Sequence, residues 1–88
     1  SLDLSQRIAR DLAPLAPESM ELFDESGNHI GHEGAKGGGS HFRLDIVSRQ
    51  FEGKSRLERH RMVYRALAPL MQREIHALAI NARTPDEL

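Results

Sequence analysis

The chain has 88 residues, a mass of 9.9 kDa, a formal net charge of −1 and neither cysteine nor tryptophan. That length supports a single small domain, read here as residues 1–88, with a modest core: chains of this size bury only about 60–65% of the surface they expose when unfolded. Without thiols there is no disulfide framework, no zinc ribbon, no cysteine nucleophile and no iron–sulfur cluster held by the chain's own thiolates, and a near-zero net charge leaves any pull towards nucleic acid or an anionic membrane to local patches.

Residues 2–13 read as a short amphipathic helix. Leu4, Ile8 and Leu12 fall on one face at a spacing of four, Asp3 or Ser5 caps it, and Pro14 and Pro17 stop it. Residues 19–25 read as a first strand, with Met20 and Leu22 in alternation and Phe23 opposite. Residues 26–40 then hold six of the seven glycines and read as a long mobile loop carrying His29 and His32, with His41 at its far end. Residues 41–48 are the clearest strand, Phe42, Leu44 and Ile46 facing one way and Arg43 and Asp45 the other. Phe51 reads as a plug in the turn that follows.

Ser55 and Glu58 have capping-box spacing and open a second helix, whose apolar stripe is read as Leu57, His60 or Arg61, Val63 or Tyr64, Leu67, and Leu70 or Met71. Pro69 ends or kinks it, with a short tighter turn after it. Residues 75–82 alternate Ile75, Ala77 and Ala79 against His76, Leu78 and Ile80; both faces are partly apolar, which predicts a central strand. Thr84, Pro85, Asp86 and Glu87 form a helix-start signature. The predicted order is αββαβ, an α/β fold with helices packed on a three-stranded sheet.

Three motifs bear on chemistry. Gly53-Lys54-Ser55 resembles the end of a phosphate loop, but that motif needs a glycine at position 48, where serine stands; a capped helix start explains the three residues. His29, His32 and His41 bring imidazoles to one loop, a spacing that can reach one metal ion, set against the plainer reading of solvated loop histidines. Residues 49–65 hold Arg49, Lys54, Arg56, Arg59, Arg61 and Arg65 against only Glu52 and Glu58, a local charge of +4. Phosphate binding needs such a patch, but Tyr64 is the lone aromatic in it, so base stacking has little to work with. His76 on an apolar strand and His60 on the buried side of its helix read as half-buried core histidines, His60 donating to a backbone carbonyl. No Ser–His–Asp set, carboxylate pair or dinucleotide glycine motif is present, and an enzyme is not expected. No stretch has the length of a membrane-spanning helix and no leader pattern opens the chain, so the expected location is the cytoplasm, with no membrane partner.

The blocks His41-Phe42-Arg43-Leu44, Ile46-Val47-Ser48, Phe51-Glu52-Gly53, Leu57 to Tyr64, and Ile75-His76-Ala77-Leu78-Ala79-Ile80 with Thr84-Pro85, together with Glu25-Ser26-Gly27-Asn28-His29, resemble the BolA family over nearly the whole chain. The resemblance implies an αββαβ sandwich similar to a class II KH domain. It implies a monothiol glutaredoxin as partner and a shared [2Fe–2S] cluster, ligated by a glutaredoxin cysteine, a glutathione thiol and two groups of this chain. Those two are His76 and a loop residue at the position of His29, with His32 as the alternative; no cluster is expected on the isolated chain, a monomer or weak homodimer. Such proteins act in iron–sulfur trafficking, iron sensing or stress regulation. The family is also described as transcriptional regulators, which makes DNA a possible partner, contacted through Arg49, Lys54, Arg56, Arg59 and Arg61 on the second helix and the turn before it; the G-x-x-G loop of KH domains is absent there.

Overall fold

The computed structural model describes residues 1–29 and 40–88. Its main elements are α1 (Leu4–Leu12), β1 (Ser19–Asp24), β2 (Ser40–Val47), α2 (Arg56–Ala66), α3 (Ala68–Met71) and β3 (Ile75–Arg83), which is the predicted order with one extra short helix. Asp3 caps α1 by accepting the Gln6 N–H at 2.8 Å, while the Gln6 side chain accepts the Asp3 N–H at 2.9 Å. Beyond α1 a single 3-10 turn, Ala13–Leu15, ends on Ala16 at φ 48°, a left-handed conformation that residues with a Cβ seldom adopt. That residue and Pro17 turn the chain into β1.

The sheet order is β1-β2-β3, with β1 antiparallel to β2 and β2 parallel to β3. The parallel pair requires a crossover, which α2 and α3 supply. Ile8 and Leu12 of α1, Val63 and Leu67 near the end of α2, and Leu70 of α3 pack with Phe42, Leu44, Ile46, Leu78 and Ile80 into one core. Phe51 is fully buried in it, as the plug reading expects. Met20 and Leu22 pack at its margin. The opposite sheet face carries Phe23, Arg43 and Asp45; the Arg43 guanidinium sits 4.3 Å over the Phe23 ring and 3.6 Å from Glu25.

Several expectations need correction. β3 is an edge strand, with β2 at the centre. Its apolar look on both faces comes from Ala77 and Ala79, small residues on the uncovered side, and not from burial on both faces. Its outer edge is blunted from α2: the Tyr64 hydroxyl donates to the Leu78 carbonyl at 2.9 Å, and Arg59 Nη1 to the Ala82 carbonyl at 3.1 Å. The stripe of α2 is also phased differently. Val63 and Leu67 are buried, but Leu57 is exposed, because the inward line runs Arg59, Val63, Leu67 and position 57 lies about 200° around the helix from 59. His60 is half-exposed at the rim of the α2–β3 groove and not in the core. α2 stops at Ala66, ahead of Pro69, and α3 restarts with that proline in its first turn. The glycine loop is shorter than 26–40: Ser26–His29 form a 3-10 turn and Ser40 opens β2. His32 lies outside the described residues.

Candidate functional site

His41 and His76 meet at one end of the sheet, where the register changes. Ser40 pairs with Ile75, but His41 pairs with Ala77, so β3 carries one extra residue, His76. Such a bulge re-aims a side chain. Ile75 before it and Leu78 and Ile80 after it are buried, whereas His76 is exposed. Strict alternation places His76 on the face of Leu78; the bulge moves it off that face. Its ring lies 5.5 Å from that of His41, tilted by 46°.

His41 is held by its backbone. Its N–H donates to Ser26 Oγ at 3.0 Å and its carbonyl accepts the Glu25 N–H at 2.8 Å. Those bonds tie the start of β2 to the turn Ser26–His29, so the backbone of His29 leaves the sheet at the end where His41 and His76 stand. Asp24 accepts the Ser26 N–H at 2.9 Å and thereby closes the turn; that bond holds its carboxyl below the usual carboxylate range. Among the described residues no group of three or more metal-ligating side chains occurs.

The second candidate surface is the basic face of α2. The turn before it, Arg49–Phe51, is capped by Ser48, and Gly53 follows at φ 72°, a left-handed position suited to glycine. Ser55 and Glu58 form the predicted capping box, in which the Ser55 N–H holds the Glu58 carboxyl below its ordinary value. Lys54, Arg61 and Arg65 line an open depression with Glu58 and Met62; Lys54 and Arg56 line another with His60 and Ile80. Arg49 pairs with Glu18 at 2.9 Å.

Arg59, counted from sequence among the phosphate-binding residues, has different work. Its guanidinium forks onto Glu87 at 2.6 and 3.2 Å and donates to the carbonyls of Lys54 and Ala82, with only 13% of its side chain exposed. It locks the C-terminal turn Pro85–Glu87 against α2 and β3. The Arg59 fork, with the Thr84 N–H, pulls the Glu87 carboxyl from 4.5 down to about 2. The helix-start signature at Thr84 was legible in sequence, but nothing local announced Arg59 as its partner. Nor did any local signal mark the bulge that brings His41 and His76 together.

A family model described as BolA-like protein matches residues 12–87. The human BolA-like protein 1 is 52% identical over 71 residues, covering 81% of this chain and 50% of the human protein. Among solved structures, the BolA domain of SufE1 from Arabidopsis thaliana superposes with a TM-score of 0.82 at 40% identity, covering all of both chains. BolA1 from the same plant gives 0.82 at 36% identity, covering 100% of this chain and 98% of its own. The chain spans about half the length of the BolA-like protein 1 relatives it matches.

Proposed function

We propose a function from one premise: the chain belongs to the BolA-like protein family. It acts as an adaptor that docks a monothiol glutaredoxin and shares a [2Fe–2S] cluster with it, in iron–sulfur trafficking, iron sensing or stress regulation. The observation that carries this reading is the placement of His76. A bulge lifts it out of the apolar face and exposes it at the sheet end from which the turn bearing His29 departs.

The donor set fits half of a cluster site. This chain offers His76 and a loop imidazole, His29 or His32, and it has no thiolate, so the cysteine and glutathione sulfurs arrive with the partner. A shared cluster would supply one-electron or iron–sulfur transfer chemistry, with imidazole on one iron raising its potential. The chain's own part is to hold His76 exposed on the rigid sheet. Mixing the protein with a cluster-loaded monothiol glutaredoxin and recording visible circular dichroism tests this. The cluster spectrum is expected to change with wild type and to stay that of the glutaredoxin alone with His76→Ala; an unchanged spectrum with wild type, or identical behaviour of the variant, rejects it.

A second reading, DNA-binding transcriptional regulation, is supported by the charge of α2. Lys54, Arg56, Arg61 and Arg65 have no acidic partner within ion-pair distance among the described residues, and they project from the helix and the turn before it. Arg59 drops out of that set.

A further inference from the structure

We propose that β1 is a self-pairing edge: two copies of this chain join their sheets through antiparallel β1–β1 pairing about a two-fold axis at Leu22. β1 has one sheet neighbour, β2, and its other side is open. The far edge of the sheet is blunted, since side chains of α2 bond the Leu78 and Ala82 carbonyls of β3. Among the described residues no side chain bonds the outer backbone of β1 in that way, and β1 contains neither proline nor lysine. The Glu25 N–H donates to the His41 carbonyl, and the ladder of an antiparallel pair alternates, so Ser19, Glu21 and Phe23 turn their backbone groups to β2. Met20, Leu22 and Asp24 turn theirs outwards, donors and acceptors alike.

Side-chain direction and charge choose the register. Met20 and Leu22 lie at the margin of the core, and Glu21 and Phe23 on the uncovered face, so only registers that keep those faces continuous are open. The two that overlap most of the strand are centred on Glu21 and on Leu22. The first sets Glu21 against Glu21 of the second copy, like charges directly opposite each other. The second removes that clash. It lays Leu22 against Leu22 of the second copy, and Met20 against Asp24, with the outward backbone groups of all three residues paired. On the uncovered face it sets Glu21 beside Phe23 of the second copy. The Arg43 guanidinium lies 4.3 Å over that ring, leaning from β2 across β1 towards the edge. Each Glu21, which faces Asp45 within its own copy, thus gains an arginine across the interface. The arrangement is isologous, so every such contact occurs twice. His76 stands on the opposite edge strand, so this pairing leaves the proposed cluster site uncovered and does not depend on it.

Sedimentation velocity on the full chain, from micromolar to millimolar concentration, reads the association directly. A reversible monomer–dimer equilibrium is expected. Glu21→Lys and Arg43→Glu should each weaken it at least tenfold, and Glu21→Arg combined with Arg43→Glu should restore it. The absence of native cysteine permits a test of the register. Glu21→Cys and Phe23→Cys, mixed and treated with oxidised glutathione, should give the mixed disulfide well above either homodimer. The Cα atoms of such a pair stand about 4.5 Å apart, within the range that a disulfide spans. In wild type, amide exchange should slow at Met20, Leu22 and Asp24 as concentration rises, and not at Leu78, a readout that needs no variant to fold. A monomer throughout the range overturns the proposal and leaves the edge to an extended segment of another protein. Predominance of the Glu21→Cys homodimer, or association of both charge variants equal to wild type, overturns it as well.

Discussion

Ser48 is a small residue whose loss should be felt widely. It is fully buried at the end of β2, its hydroxyl donates to the Leu15 carbonyl at 2.6 Å, and the same oxygen accepts the Gln50 N–H at 3.0 Å. One hydroxyl thus ties the corner after α1 to the turn that carries Phe51 into the core. Ser48→Ala removes both bonds. Leaving a buried carbonyl unsatisfied costs about 1–3 kcal/mol, and losing the cap of the 49–51 turn is part of the same change. A loss of about 2 kcal/mol in total is expected. For a domain of this size that lowers Tm by about 8–16 °C, read by circular dichroism on heating. Urea titration should show a lower midpoint at an unchanged slope, since the native surface is the same. Ser48→Thr keeps the hydroxyl but adds a methyl group to a fully buried site, so some loss should remain. A change below about 0.5 kcal/mol for Ser48→Ala would refute the reasoning, because it would mean that water or a local shift satisfies both groups at no cost.

Acid should weaken the C-terminal clamp. Glu87 has a folded-state pKa of about 2, below its ordinary 4.5, so its contribution is fully present above about pH 4.5 and is lost as pH falls towards 2. The urea midpoint of Glu87→Gln should therefore lie below that of wild type at pH 6 and converge with it near pH 2; a gap that persists into acid contradicts the assignment. For the DNA reading, log affinity should fall linearly with log salt. Arg61→Gln should reduce that slope by about 0.9, as one phosphate contact does on B-form DNA, whereas Arg59→Gln should leave it unchanged. Equal effects of the two substitutions in a salt-dependent mobility-shift series would return Arg59 to the phosphate-binding set.

Much of this fold is legible in the chain because its determinants are local. The Ser55–Glu58 box, the prolines that follow α1 and open α3, the alternation in β2 and the buried Phe51 all act within a few residues, through capping, lost donors and side-chain period. The missing cysteine belongs to the same class: it limits the chain's own metal chemistry to imidazole and carboxylate whatever the fold. Three matters were decided only by tertiary structure. Whether Ile75–Arg83 lies at the centre or the edge of the sheet depends on which strand β2 pairs with next, and two faces sprinkled with alanine look alike in either place. Whether Arg59 binds a phosphate or a carboxylate depends on Glu87, 28 residues away, which the chain's path brings to within 2.6 Å. His76 reaches solvent beside His41 because one extra residue in β3 shifts its register against β2, and a register is a property of two strands that neither carries alone.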